Sequence, residues 1–108
     1  MRDKIEQLVA EELARANDKF PGFASNHEAY AVLLEEVEEL GDDLDTMTCE
    51  MGGLWRFTKA QKAFDTRVPK HSLERINRAA INAAMEAIQA AAMAKKWIAL
   101  LDKEKTPL

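Results

Sequence analysis

Tyr30, Leu33, Val37, Leu40, Leu44, Met47, Met51 and Leu54 follow one another at alternating steps of three and four without a break. Such an alternation is the seam of a helix that packs lengthwise on another helix. A strand of period two would scatter the same residues over both of its faces, so this stretch cannot be read as part of a sheet. The helix has a written start: Ser25 followed three residues later by Glu28 is a capping box, in which the serine hydroxyl accepts from exposed backbone amides. Gly52 and Gly53 lie inside the seam and each costs about 1 kcal/mol relative to alanine in a helix. The periodicity nevertheless runs on to Leu54 and Phe57, so one long helix is expected to pass through the glycine pair.

The remaining segments also read as helices. Ile5, Leu8, Val9, Leu13 and Ala16 recur at helical spacing with charges between them, which predicts an amphipathic helix from about Asp3 to Asn17. It should end at "FPGF", where Pro21 cannot continue a helix and Gly22 relaxes the chain. The stretch "DTRVPKH" reads as a loop around Pro69, after which Ser72 is expected to cap a last helix reaching about Leu101. No segment alternates convincingly at period two. The expectation is a single all-α domain over residues 1–108, a small helical bundle with two long helices.

Composition excludes some functions. Lys and Arg number 15 against 19 Asp and Glu, and a net charge of −4 argues against non-specific nucleic-acid binding. The one cysteine, Cys49, can form neither an internal disulfide nor a multi-thiolate metal site, which fits a reducing compartment. The N-terminal "MRDKIEQLVAEELARAND" mixes charge with apolar residues, unlike a signal peptide or a membrane span, so a cytoplasmic protein is expected.

Within "AAINAAMEAIQAAAMA", Ala79 to Ala94, Glu86 is the only charge. Asn82, Glu86 and Gln89 form a narrow polar stripe on a cylinder of small residues that neighbouring helices can approach closely. A carboxylate buried there needs a cation or strong donors. Two readings are open: a hydrogen-bond network to another helix, or a metal ligand. The run "LLEEVEELGDDLD" offers the other half of a metal site, with Glu35, Glu36, Glu38, Glu39, Asp42, Asp43 and Asp45 within a few turns. A hard divalent cation relieves the repulsion among such carboxylates. An acidic run opposite an apolar seam is also what a solvated helix face looks like.

"HEAYAVLLEEVEEL" (His27 to Leu40), followed by "MEAIQAAAMAKKW" (Met85 to Trp97), resembles the short MazG-like proteins encoded by phages and prophages. These belong to the all-α nucleoside triphosphate pyrophosphohydrolase superfamily, and the resemblance spans roughly residues 20 to 100. The family signature is E-E-x-x-E on one helix and E-x-x-D on a later one. Glu35, Glu36 and Glu39 match the first motif and Glu86 the second, with Gln89 where the family has aspartate. Glu86 follows Glu39 by 47 positions, a longer separation than the family usually shows, which requires a lengthened second helix and an added connection. The resemblance implies magnesium, with manganese as a substitute, held by Glu36, Glu39 and Glu86, with Gln89 able to offer an oxygen. It further implies Glu35 orienting a water, and hydrolysis of a nucleoside triphosphate to monophosphate and pyrophosphate. Lys59, Lys62, Lys95 and Lys96 are the cations expected to meet substrate phosphates. The alternative is a non-catalytic helical protein of the same fold that binds a partner. Because the seam and the alanine-faced last helix carry more apolar surface than one short chain can cover, a homo-oligomer, at least a dimer, is expected.

Overall fold

The computed structural model describes residues 1–60 and 65–104. Three helices make up nearly all of it: α1 (Arg2–Lys19), α2 (Asn26–Ala60) and α3 (Arg67–Glu104). No strand occurs among the described residues, as the periodicities led one to expect. No described helix is long and apolar enough to cross a membrane.

The turn between α1 and α2 forms where the sequence marks it. The Phe20 amide still donates to the Ala16 carbonyl, but Phe20 itself is extended, and Gly22 takes a φ of 73°, a left-handed conformation that costs glycine little. The capping box then closes. Ser25 Oγ accepts from the Glu28 amide at 3.1 Å, while Glu28 Oε1 reaches back to the Ala24 amide at 3.4 Å, one residue earlier than in the usual box. From there α2 continues through Gly52 and Gly53 to Ala60.

The start of α3 differs from the sequence expectation. It begins at Arg67, so Pro69 lies in its first turn and Ser72 is inside the helix, buried. Proline is tolerated there because the first-turn amides have no intrahelical acceptor to lose. Thr66 supplies the first carbonyl, accepting from the Lys70 amide, and Asp65 Oδ1 takes the Arg67 amide at 3.0 Å. The carboxylate does the capping that was assigned to Ser72.

α2 and α3 form a long antiparallel hairpin. At one end Trp97 Nε1 donates to Asn26 Oδ1 at 2.9 Å, and towards the other Arg75 grips Glu50 with two bonds of 2.7 and 3.0 Å. α1 packs on α3 and not on α2. The main core therefore forms at one end only, where Val9, Phe23, Ala29, Ala92 and Met93 meet. The molecule measures 71 × 26 × 21 Å, with a radius of gyration of 19.3 Å against about 13 Å for a compact chain of 100 residues.

The seam of α2 divides into two rows. Leu33, Leu40, Met47 and Leu54 are half-buried, whereas Tyr30, Val37, Leu44 and Met51 are 58, 49, 49 and 57% exposed. Glu36, Asp43 and Glu50, seven apart, are the half-buried residues that accompany the first row. On α3 a polar row with the same spacing runs through Arg75, Asn82, Gln89 and Lys96. Glu50 meets Arg75 and Glu36 meets Gln89, so one flank of the hairpin is polar along its length. The alanine-rich helix is accordingly not buried all round: Ala79, Ala83, Ala92 and Met93 are covered while Ile81 and Met85 are exposed.

Candidate metal centre and the adjoining groove

Glu36 and Glu39 stand one turn apart on α2, and the antiparallel register brings Glu86 of α3 between them. Each of the three offers a carboxylate oxygen within 4.8 Å of the others. Glu36 and Glu86 are half-buried and Glu39 is exposed. Gln89, one turn beyond Glu86, completes the cluster. With its amide nitrogen turned towards the carboxylates it donates to Glu36 Oε2 at 3.0 Å and to Glu86 Oε2 at 3.2 Å.

Burial and close neighbours raise the proton affinity of Glu36 and Glu39. Burial pushes the Glu36 carboxyl above its ordinary 4.5, and repulsion from Glu39, Glu35 and Glu12 adds to this, while a hydrogen bond with Glu86 partly offsets it. Glu39 is raised chiefly by its hydrogen bond with Glu86 and by the charge of that residue, with Asp43 and Asp42 contributing. Carboxylates that hydrogen-bond to one another share protons and titrate as a set. A divalent cation performs the same service as those protons at neutral pH. The donor set is all oxygen and suits magnesium or manganese, whose ligand oxygens sit about 3–4 Å apart when bonds are about 2.1 Å.

A groove of about 670 Å³ opens beside the cluster, with Glu36 and Gln89 in its wall. Arg15, Lys19 and Lys96 line it together with Phe20 and Phe23. Lys96 is 6% exposed; its Nζ donates to the Phe20 carbonyl at 2.7 Å and lies 4.7 Å from the centre of the Phe23 ring. A buried ammonium is costly, and here a carbonyl and a ring face share its stabilisation. Arg15 is paired with Glu12 on its own helix.

The other residues singled out in the sequence lie elsewhere. Glu35 is exposed and outside the converging three. Lys59 sits on the exposed end of α2, 5.4 Å over the Trp55 ring, some 20 residues or about 30 Å of helix beyond Glu39. Lys95 is exposed and borders a separate recess with Met1, Ile5 and Val9. Lys62 lies outside the described residues. Sequence reasoning missed Arg15, Lys19, Phe20 and Phe23. The two cations look like any solvated charge on an amphipathic helix, and the two aromatics flanking Pro21 and Gly22 read only as a helix end.

Comparison with family models, with curated proteins and with solved structures finds no match.

Proposed function

We propose that the chain is a divalent-metal-dependent nucleoside triphosphate pyrophosphohydrolase of the MazG-like kind. The observation that carries this reading is the convergence of Glu36, Glu39 and Glu86 from two helices, with oxygens within 4.8 Å of one another. The residues come from the two motifs that suggested the family, and they meet although 47 positions separate Glu39 from Glu86.

The adjoining groove supports a phosphate-bearing substrate with an aromatic group. Lys19 supplies positive charge in a groove that also holds Glu12 and Glu28, with Arg15 paired to Glu12 and Lys96 bonded to the Phe20 carbonyl, and the exposed Phe20 ring offers apolar surface for a base. Magnesium or manganese bound by the three glutamates would supply charge neutralisation for the triphosphate and polarise its α-phosphorus. The chain's own groups do the rest. Glu36 and Glu86, half-buried, fix the ligand geometry, and Glu39, the exposed member, is placed to orient an attacking water. Glu35, on another face of α2, acts on the cluster only through its charge.

One observation favours a second reading, a non-catalytic protein of this fold that serves as an interaction partner. The Gln89 amide donates to both Glu36 and Glu86, which partly satisfies the carboxylates without any cation. The experiment that separates the two is pyrophosphate release from a panel of nucleoside triphosphates by the purified protein, with magnesium or manganese and with chelator. Metal-dependent release supports the hydrolase. No release by the parent, with release appearing in Gln89→Asp, supports a lapsed enzyme whose missing charge is the cause.

A further inference from the structure

We propose that Lys96, with its neighbour Trp97, is a positioning residue: the pair clasps the corner between α1 and α2 against α3 and thereby sets the width of the groove beside the carboxylate cluster. The clasp is a property of the fold, and only the kinetic arm of its test rests on the hydrolase reading.

The groove takes its walls from four segments: Lys19 of α1, Phe20 and Phe23 of the corner, Glu36 of α2, and Gln89 and Lys96 of α3. α1 packs on α3 and makes no packing contact with α2. The gap between α1 and α2 is therefore set by how α1 and the corner are tied to α3, the helix that both of them touch. Two consecutive residues of α3 hold the two ends of the corner. Lys96 Nζ donates to the Phe20 carbonyl at 2.7 Å where α1 ends, and Trp97 Nε1 donates to Asn26 Oδ1 at 2.9 Å where α2 begins.

The chemistry at the Lys96 end suits a tie. Carbonyls at the C-terminal end of a helix lack intrahelical donors and carry the negative end of its dipole, so a cation is favoured there. Among the described residues Lys96 is the one charged side chain that is buried, and the Phe23 ring lies 4.7 Å from its Nζ. Phe23 belongs to the core with Ala92 and Met93, so one ammonium fastens the backbone of one corner residue and the ring of another to α3. Turning to a substrate phosphate would strip the Phe20 carbonyl of this donor. The family resemblance implies that Lys96 meets phosphates; the geometry gives its charge to the corner instead, and leaves the exposed Lys19 as a groove cation. Glu36, Glu39 and Glu86 come from α2 and α3 alone, so loosening the corner alters the groove and not the metal ligands.

Hydrogen exchange of the full chain is the first test. Phe20, Gly22 and Ala24 each have a hydrogen-bonded amide in the corner. Lys96→Met, which removes the ammonium and keeps an unbranched apolar chain, should speed exchange of these amides at least tenfold while the buried Ala79 and Ala83 of the arm keep the parent's rates. Unchanged exchange at the corner overturns the proposal, and so does an equal rise on the arm, which marks a general loss of stability. Trp97→Phe keeps a ring and removes the second donor; it should speed the same amides about threefold or more, and it decides the matter where Lys96→Met fails to fold. In steady-state assays Lys96→Met should raise KM for the nucleoside triphosphate at least tenfold with kcat within about threefold, and Trp97→Phe, whose indole is not in the groove wall, should raise KM as well. A loss of kcat at unchanged KM, or a KM effect confined to Lys96→Met, makes the ammonium a phosphate ligand and overturns the clasp. A parent that releases no pyrophosphate removes the hydrolase reading alone, because exchange is measured without nucleotide and still decides the clasp.

Discussion

The two ends of the hairpin are built differently. At the end holding Asn26 and Trp97, α1 and the Phe20–Phe23 corner lie against α3, and Val9, Phe23, Ala29, Ala92 and Met93 close a core shared by all three helices. At the other end α2 and α3 have only each other. Ala79, Ala83, Ser72 and Pro69 are buried there, yet Met51, Trp55, Leu73 and Ile81 are more than half exposed. A two-helix contact buries one stripe per helix, and a third element is needed before large side chains are enclosed. The carboxylate cluster sits where the three-helix end gives way to the arm, half-buried on one side and open on the other. Its position explains why Glu36 is raised by burial whereas Glu39 is raised by its neighbour.

The largest effect should separate the two ends in chemistry. Glu86→Gln is expected to lower metal-dependent pyrophosphate release at least a hundredfold, about 2.7 kcal/mol of barrier, whereas Ile81→Ala on the arm leaves it within a few-fold. Unfolding in chelator refines the meaning of that loss. If the carboxylate serves a cation, the glutamine variant is as stable as the parent or slightly more so, since one of three crowded charges has gone. A loss of about 1–3 kcal/mol in chelator means that Glu86 mainly satisfies donors such as Gln89, and the metal reading fails.

Stability should divide the same way. Met93 is 8% exposed in the three-helix core, and Met93→Ala should cost about 2–4 kcal/mol in urea unfolding. Ile81, 55% exposed on the arm, should cost no more than about 1 kcal/mol when cut to alanine. Equal losses would show the arm to be as tightly held as the core.

How much of this was legible depended on range along the chain. The turn at Pro21 and Gly22 and the Ser25–Glu28 box are local, and each formed where the residues said. The start of α3 is local too but differs from the expected one: a first-turn proline loses no hydrogen bond, so Pro69 need not stand in a loop, and Asp65 caps the helix in place of Ser72. The seam of α2 was read correctly as helical, but period alone does not say which of two adjacent rows faces the partner. Glu36, Asp43 and Glu50 accompany the inner row because α3 supplies Gln89 and Arg75 opposite two of them. Glu36, Glu39 and Glu86 were found through paired motifs, whereas Arg15 and Lys19 joined the groove only through the docking of α1, a contact that no spacing encodes.

Acid should affect the two ends in opposite directions. Glu36 and Glu39 have folded-state values raised above 4.5, so between 4.5 and those raised values the folded state binds more protons than the unfolded one. Their contribution to stability therefore improves as pH falls through the raised values and worsens as pH rises through them. On the arm the Arg75 guanidinium, with the Ser72 hydroxyl, holds Glu50 below 4.5. That contribution is present above 4.5 and is lost as pH falls through the lowered value. Urea unfolding in chelator as pH is lowered from 7 towards 4.5 should show Glu36→Gln flattening a gain that the parent displays. Arg75→Gln should leave that gain intact and remove part of the loss below pH 4.5. A parent that shows no gain as pH falls towards 4.5 would mean that burial and the neighbouring charges do not raise Glu36 and Glu39 in solution.

The smallest effect tests the arm's backbone. Gly52 and Gly53 lie in mid-helix with ordinary helical φ, and a Cβ added at either would meet only the flexible Arg56 guanidinium, at 3.8 Å. No neighbour therefore demands glycine there. An alanine at such a position removes backbone freedom from the unfolded chain and fits the folded helix without strain, so Gly53→Ala should stabilise by roughly 0.5–1 kcal/mol. The three-helix end offers a contrast in Gly22, at φ 73°, where the same replacement is strained although no atom lies within 4 Å, and stability should fall. Denaturant midpoints of the two variants read the difference directly. If Gly53→Ala destabilises, some second surface approaches α2 closely at that point, and the arm is less open than the single chain makes it.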